Sequence, residues 1–301
     1  MRAKNQMNEA KLSLTHKEVD YIRKIKPKDS ILTLPVPPGY EPIFAECEDT
    51  FRDIDQMIAG TLYFPQRQNI FKALELTPFD KIRVIIIAQD PYPNVFANGL
   101  AFSTCEKKIP RSLCNIFKEL KKEYYRFKIP KHGDLSWWAK QGVLLLNASL
   151  TVEPDKPLSH GRMWTHLIIE IIKQACIMRE SQDPGPSGNN KRLIFLLWGA
   201  KAQQYEDQIS DSSIKLKSAH PVSRANAKTP FIGNGHFLET NRYLVEMDEE
   251  PIDWNLPETP ELCIQEACVS TAVEKEEEEI IDEESEDTIE EESESISYDS
   301  E

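Results

Sequence analysis

The chain has 301 residues, enough for one large domain or two small ones, and a formal net charge of −14. That charge argues against a nucleic-acid partner until its distribution is read. Residues 261–301 hold 18 Asp and Glu against the single Lys275, so residues 1–260, with 35 basic and 32 acidic side chains, carry +3. The acidic stretch has little to bury and is expected to be a disordered tail, either solubilising or a segment that binds a protein partner. The six cysteines form no Cys-x-x-Cys pair and no His cluster has zinc spacing, which predicts a reduced, metal-free protein. With no apolar run of about 18 residues and no secretory signal, the chain is expected inside the cell, in a nucleus or in a bacterial cytoplasm, with no membrane contact.

In chain order, residues 1–48 are polar, contain Pro27, Pro35, Pro37, Pro38 and Pro42, and read as an extension of undefined fold. Residues 49–260 read as the folded domain. Four apolar runs, 82–88, 143–147, 193–198 and 214–218, have the length of buried strands. Helical spacing of Leu113, Ile116, Phe117 and Leu120 predicts a helix over 112–127. Leu167, Ile168, Ile171, Ile172 and Ala175 predict a second over 164–178, which breaks into the Pro- and Gly-rich stretch 183–190. A short helix is expected over 202–209. Strand alternating with helix predicts an α/β fold, three layers α/β/α around a central four-stranded parallel sheet. No glycine-rich nucleotide loop is present, so no cofactor is expected.

Three strand runs end in polar groups. The first closes on Gln89-Asp90, braced by Pro91 and Pro93; the second closes on Asn147; the fourth runs into His220-Pro221. In a parallel sheet those ends share one edge, where ligands of open α/β sheets bind. Each residue alone also fits an ordinary strand exit or turn. Together they offer an amide and an imidazole to read and polarise a neutral heterocycle, and a carboxylate to stabilise a developing cation.

At these residues the chain resembles the main, uracil-specific family of uracil-DNA glycosylases. The resemblance rests on Gln89-Asp-Pro-Tyr92, Asn98-Gly-Leu-Ala-Phe102-Ser103, Trp138 to Asn147, Leu150-Thr-Val152, Leu196 to Ala202 and Ala219-His220-Pro221. Leu76 to Asp80, Gly235-His-Phe237 and Pro251 to Trp254 extend it over roughly residues 60–257. It implies a monomeric, cofactor-free hydrolase that flips deoxyuridine out of single- or double-stranded DNA and cuts its N-glycosidic bond.

By that resemblance Asp90 positions the attacking water and stabilises the oxocarbenium-like sugar, and His220 donates to uracil O2 as charge builds there. Asn147 reads the N3–H and O4 edge, Tyr92 blocks a 5-methyl group, Phe102 stacks on the base, and Gln89 lines the pocket through its backbone. Ser112 contacts phosphate and can also cap the helix that follows it. Three departures stand out. Pro93 takes the place of a histidine, as in poxviral relatives. The loop His220-Pro-Val-Ser-Arg224 has Val222 where the family has a phosphate-contacting serine, which Ser223 can replace. Arg224 stands at the offset of the leucine that fills the hole left by the flipped base, also as in poxviral relatives. Arg111 stands where the family has a second proline. A second reading keeps the fold but uses it as a DNA-docking subunit. His160 and His236 are read as structural.

Overall fold

The computed structural model describes residues 30–223 and 228–263. In chain order the regular elements are α1 (Glu41–Glu46), α2 (Glu48–Ile58), α3 (Lys72–Leu76), β1 (Val84–Ala88), α4 (Arg111–Glu123) and α5 (Ser136–Lys140). They continue with β2 (Val143–Asn147), α6 (Thr165–Glu180), β3 (Ile194–Trp198), α7 (Ala200–Gln203), β4 (Ile214–Ser218) and α8 (His236–Glu246).

The four strands form one parallel sheet in the order β2-β1-β3-β4. Every residue of β1, β2 and β3 is buried, as continuous branched apolar runs require in a sheet covered on both faces. Side chains alternate between two cores. Ile85, Ile87, Leu144, Leu146, Phe195 and Leu197 pack on α6 and the N-terminal elements. Val84, Ile86, Leu145, Leu196 and Trp198 pack on α4, α5 and α8. The fold is the expected three-layer α/β/α arrangement.

The differences from the sequence reading are local. The helix expected over 112–127 stops at Glu123, because Tyr124 turns extended (φ −118°) and the chain folds back to bury Phe127. The helix expected over 202–209 is split into α7 and a 3-10 turn at Glu206–Gln208. Within the stretch 1–48, the described part is built into the domain: Ile31, Tyr40, Ile43 and Cys47 are buried in the same core as β1 and α6. Pro42 sits in the first turn of α1, where its missing N–H is harmless. The expectation of six thiols is corrected at one place, since Cys105 and Cys263 are joined by a disulfide, while Cys47, Cys114 and Cys176 are free. The acidic residues 264–301 lie outside the described residues.

Candidate active site

The parallel register brings the three polar strand ends to one edge. Ala88 pairs with Asn147, so Asp90 and Asn147 leave adjacent strands, and His220 leaves β4 on the far side of β3. The strand between them ends at Gly199, with φ +90°. A Cβ at Gly199 would lie 2.8 Å from the Cβ of His220. Only glycine lets the histidine fold over the end of β3.

A cavity of about 250 Å³ opens there, lined by Gln89, Asp90, Tyr92, Phe102, Ser112 and His220 among others. The Asp90 carboxylate is held on one oxygen. Oδ2 accepts the Leu158 backbone N–H at 2.7 Å and the Gln89 side-chain amide at 3.0 Å. Leu158 has φ +68°, an unusual conformation for a branched side chain that aims its N–H at the carboxylate. The Gln89 carbonyl accepts from Ser149 N–H.

His220 is set as a neutral donor. Its Nδ1 accepts the Val222 N–H at 3.3 Å, which leaves the ring proton on Nε2. Burial holds its pKa below the usual histidine value, so the imidazole stays uncharged at neutral pH. Phe102, itself at φ +62°, packs between Trp198 and His220 with centroids 5.7 and 5.9 Å away. The Tyr92 hydroxyl meets the Phe102 carbonyl at 3.3 Å and Ser112 Oγ at 3.1 Å, and burial pushes its pKa up to about 12. Its ring is therefore fixed at one wall of the cavity.

Asn147 is 1% exposed, and its Oδ1 is buried without a hydrogen-bond partner among the described residues. No bond from its side-chain amide to another described residue is present. Buried side-chain amides are nearly always bonded to the protein or to ordered water. This one is kept open beside Ala88, which lines the cavity.

The structure thus gathers Gln89, Asp90, Tyr92, Phe102, Ser112 and His220 around one cavity, and Asn147 is the strand partner of Ala88, which also lines it. Ser112 does not cap the helix: the cap residue is Pro110, with no side-chain bond, and Ser112 holds Tyr92 instead. Ser223 is exposed on the His220 loop, and its N–H closes a turn onto the His220 carbonyl. Arg224 lies outside the described residues. His160 is buried, bonded to Thr151 Oγ1 at 2.9 Å, which also receives the Trp164 indole N–H. His236 accepts the Trp198 indole N–H at 3.0 Å.

Sequence reasoning missed the backbone donor of Leu158 and the steric role of Gly199. The first leaves no trace in residue type. The second was readable as a glycine closing a buried strand. A second groove, of about 570 Å³, adjoins the cavity through Gln89 and Asp90 and is lined by Arg162, Lys201 and Gln204. Neither cation makes an ion pair with a described residue.

Residues 75–245 match the Uracil DNA glycosylase superfamily. The uracil-DNA glycosylase of Azotobacter vinelandii is 42% identical over 227 residues, covering 73% of this chain and 90% of that protein. That of Francisella tularensis subsp. novicida is 42% identical over 201 residues, covering 65% and 86%. Among solved structures, a mimivirus UNG variant in complex with UGI aligns with a TM-score of 0.65 at 25% identity, covering 76% of this chain and 92% of that one. With the family's sequence pattern, its sheet and a strand-edge cavity all present, the chain belongs to the uracil-DNA glycosylase superfamily.

Proposed function

We propose that this chain hydrolyses the N-glycosidic bond of flipped-out deoxyuridine in DNA, releasing uracil and leaving an abasic site for base excision repair. The observation that carries the reading is the unused amide of Asn147 beside a cavity that also holds an oriented carboxylate and a neutral imidazole. A bound uracil supplies what that amide lacks. Its N3–H donates to Oδ1 and its O4 accepts from Nδ2. Cytosine has no proton at N3 and an amino donor at position 4, so it leaves both groups mismatched.

As the bond between C1′ and N1 breaks, its electron pair passes to the base and spreads onto O2. There the Nε2–H of His220 stabilises it, an interaction stronger in the transition state than in the ground state. The cationic sugar is stabilised by Asp90. Water adds to C1′ on the opposite face and gives its proton to that carboxylate. Tyr92 stands where a thymine methyl would go, and Phe102 stacks on the base, a contact worth about 1–3 kcal/mol in nucleic-acid binders.

Ser112, Ser223 and the groove cations Arg162 and Lys201 are proposed to hold phosphates, and Arg224 to fill the gap left by the flipped base. No Lys is among the residues lining the cavity with Tyr92, Phe102 and His220, so a Schiff-base strand-cleaving step is not expected. The protein is proposed to act as a monomer inside the cell, since one chain supplies every group of the site. A partner for the acidic segment is taken up below. The test is a panel of matched oligonucleotides carrying one uracil, thymine or cytosine. Uracil alone is released, and release of cytosine at a comparable rate would remove Asn147 from its role.

A further inference from the structure

Helix α4 carries a cationic surface that the glycosylase chemistry leaves largely unused. Residues 107–131 hold nine Lys and Arg, all exposed: Lys107, Lys108 and Arg111 before or at the start of α4, then Lys118, Lys121, Lys122, Arg126, Lys128 and Lys131. None makes an ion pair with a described residue. The two carboxylates of this stretch are turned away. Glu119 is fully buried and accepts the N–H groups of Gly233 and Gly235 at 2.6 and 3.1 Å. Glu123 accepts that of Leu238 at 2.6 Å. Arg111, Asn115, Lys118 and Lys122 follow one another at helical spacing on a single stripe. Asn115 fastens that stripe to the Pro221 carbonyl at 2.7 Å, so the cations run beside the loop that carries His220.

The described chain ends at the head of this surface. Asp134 Oδ2 receives the N–H groups of Glu261 and Leu262 at 2.7 and 2.8 Å, and Cys263 is bonded to Cys105, two positions before Lys107. Residues 264–301 therefore start beside the cationic surface. They hold 17 Asp and Glu and one Lys, with unbroken runs at Glu276–Glu279 and Glu290–Glu292. Reach is not limiting: 38 residues can extend beyond ~100 Å, and a 13-residue helix is ~20 Å long. A segment tethered there meets the surface at an effective concentration on the order of millimolar.

We propose that the acidic segment 264–301 docks on the cationic surface of 107–131 and competes there with the phosphates of DNA. The docking stands on charge and attachment alone; its effect on DNA rests on the function proposed above. The competition makes DNA binding less salt-dependent than nine exposed cations imply, because salt that weakens DNA binding also releases the segment.

The test uses the full chain, unaltered and with Glu276–Glu279 and Glu290–Glu292 all changed to Gln. Carbodiimide treatment, which joins a carboxylate to a lysine only at contact, is followed by mass spectrometry of the monomeric product. Expected are cross-links from 276–292 to Lys118, Lys121 or Lys122, suppressed by high salt. Affinity for a uracil-containing oligonucleotide at low ionic strength is measured alongside, and the Gln variant binds about tenfold tighter, with kcat unchanged and the difference gone at high salt. Absence of these cross-links, or cross-links only between molecules, overturns the docking. Cross-links with equal DNA affinity in both proteins overturn the competition. If neither protein releases uracil, the function fails while the cross-links still decide the docking.

Discussion

Replacing Asn147 by Leu separates the cost of the site from its use. The side chain is 1% exposed and its Oδ1 has no partner among the described residues, so the acceptor is buried without an internal bond. Such a group costs about 1–3 kcal/mol, and an apolar residue of similar size removes that cost. The Asn147→Leu protein is thus expected to be more stable than the parent by about 1–3 kcal/mol, a rise of roughly 2–10 °C in Tm for a domain of this size. The same change removes both bonds to the base, so kcat/KM for uracil excision falls by at least one to two orders of magnitude. Thermal unfolding without DNA and single-turnover excision on one preparation read the two effects. A variant that is less stable and still excises at the parental rate would refute the reasoning, since Asn147 would then be an ordinary structural amide.

Gly199→Ala places a methyl group 2.8 Å from the His220 Cβ at a backbone with φ +90°; excision is expected to drop about 100-fold through displacement of the imidazole, with DNA affinity nearly unchanged. Binding and excision measured on the same oligonucleotide check this. Glu123 is a pH-dependent weak point. Burial, reinforced by Glu119, pushes its pKa up to about 7. A raised carboxyl pKa favours the protonated form in the fold, so stability is lost as pH rises from the unfolded value toward and through 7. Glu123→Gln keeps the acceptor for Leu238 N–H and is expected to raise Tm at pH 8, with a gain about 1–2 kcal/mol larger than at pH 5.5. Melting curves at the two pH values decide it.

The site was legible where chemistry and strand ends coincide. Asp90 and Asn147 each close an apolar run and His220 follows the alternating strand Ile214–Ser218, and a parallel sheet leaves such groups no other place than one edge. The sheet itself was legible because β1, β2 and β3 are apolar runs, with Asn147 at the end of β2 their one polar residue. What stayed hidden depends on backbone shape or on distant partners. Leu158 acts through an N–H aimed by a positive φ, which no leucine advertises. Helices α1 and α2 sit within or just after a proline-bearing polar stretch, where the apolar signal is short: Ile43 in α1 and the stripe of Phe51, Ile54 and Ile58 in α2. The bond between Cys105 and Cys263 spans 158 positions and has no spacing signature. The switch of Ser112 from capping α4 to holding Tyr92 follows from a strand-end loop packing on a helix start, a tertiary fact.

The central claim is that Asp90, held by Leu158 and Gln89, acts on the sugar as the base departs. Single-turnover release of uracil from a defined duplex, compared between the parent and Asp90→Asn, tests it most directly. The account predicts release by the parent and a loss of about 10²–10⁴-fold in the variant, with DNA affinity kept. Release by Asp90→Asn at the parental rate would contradict it.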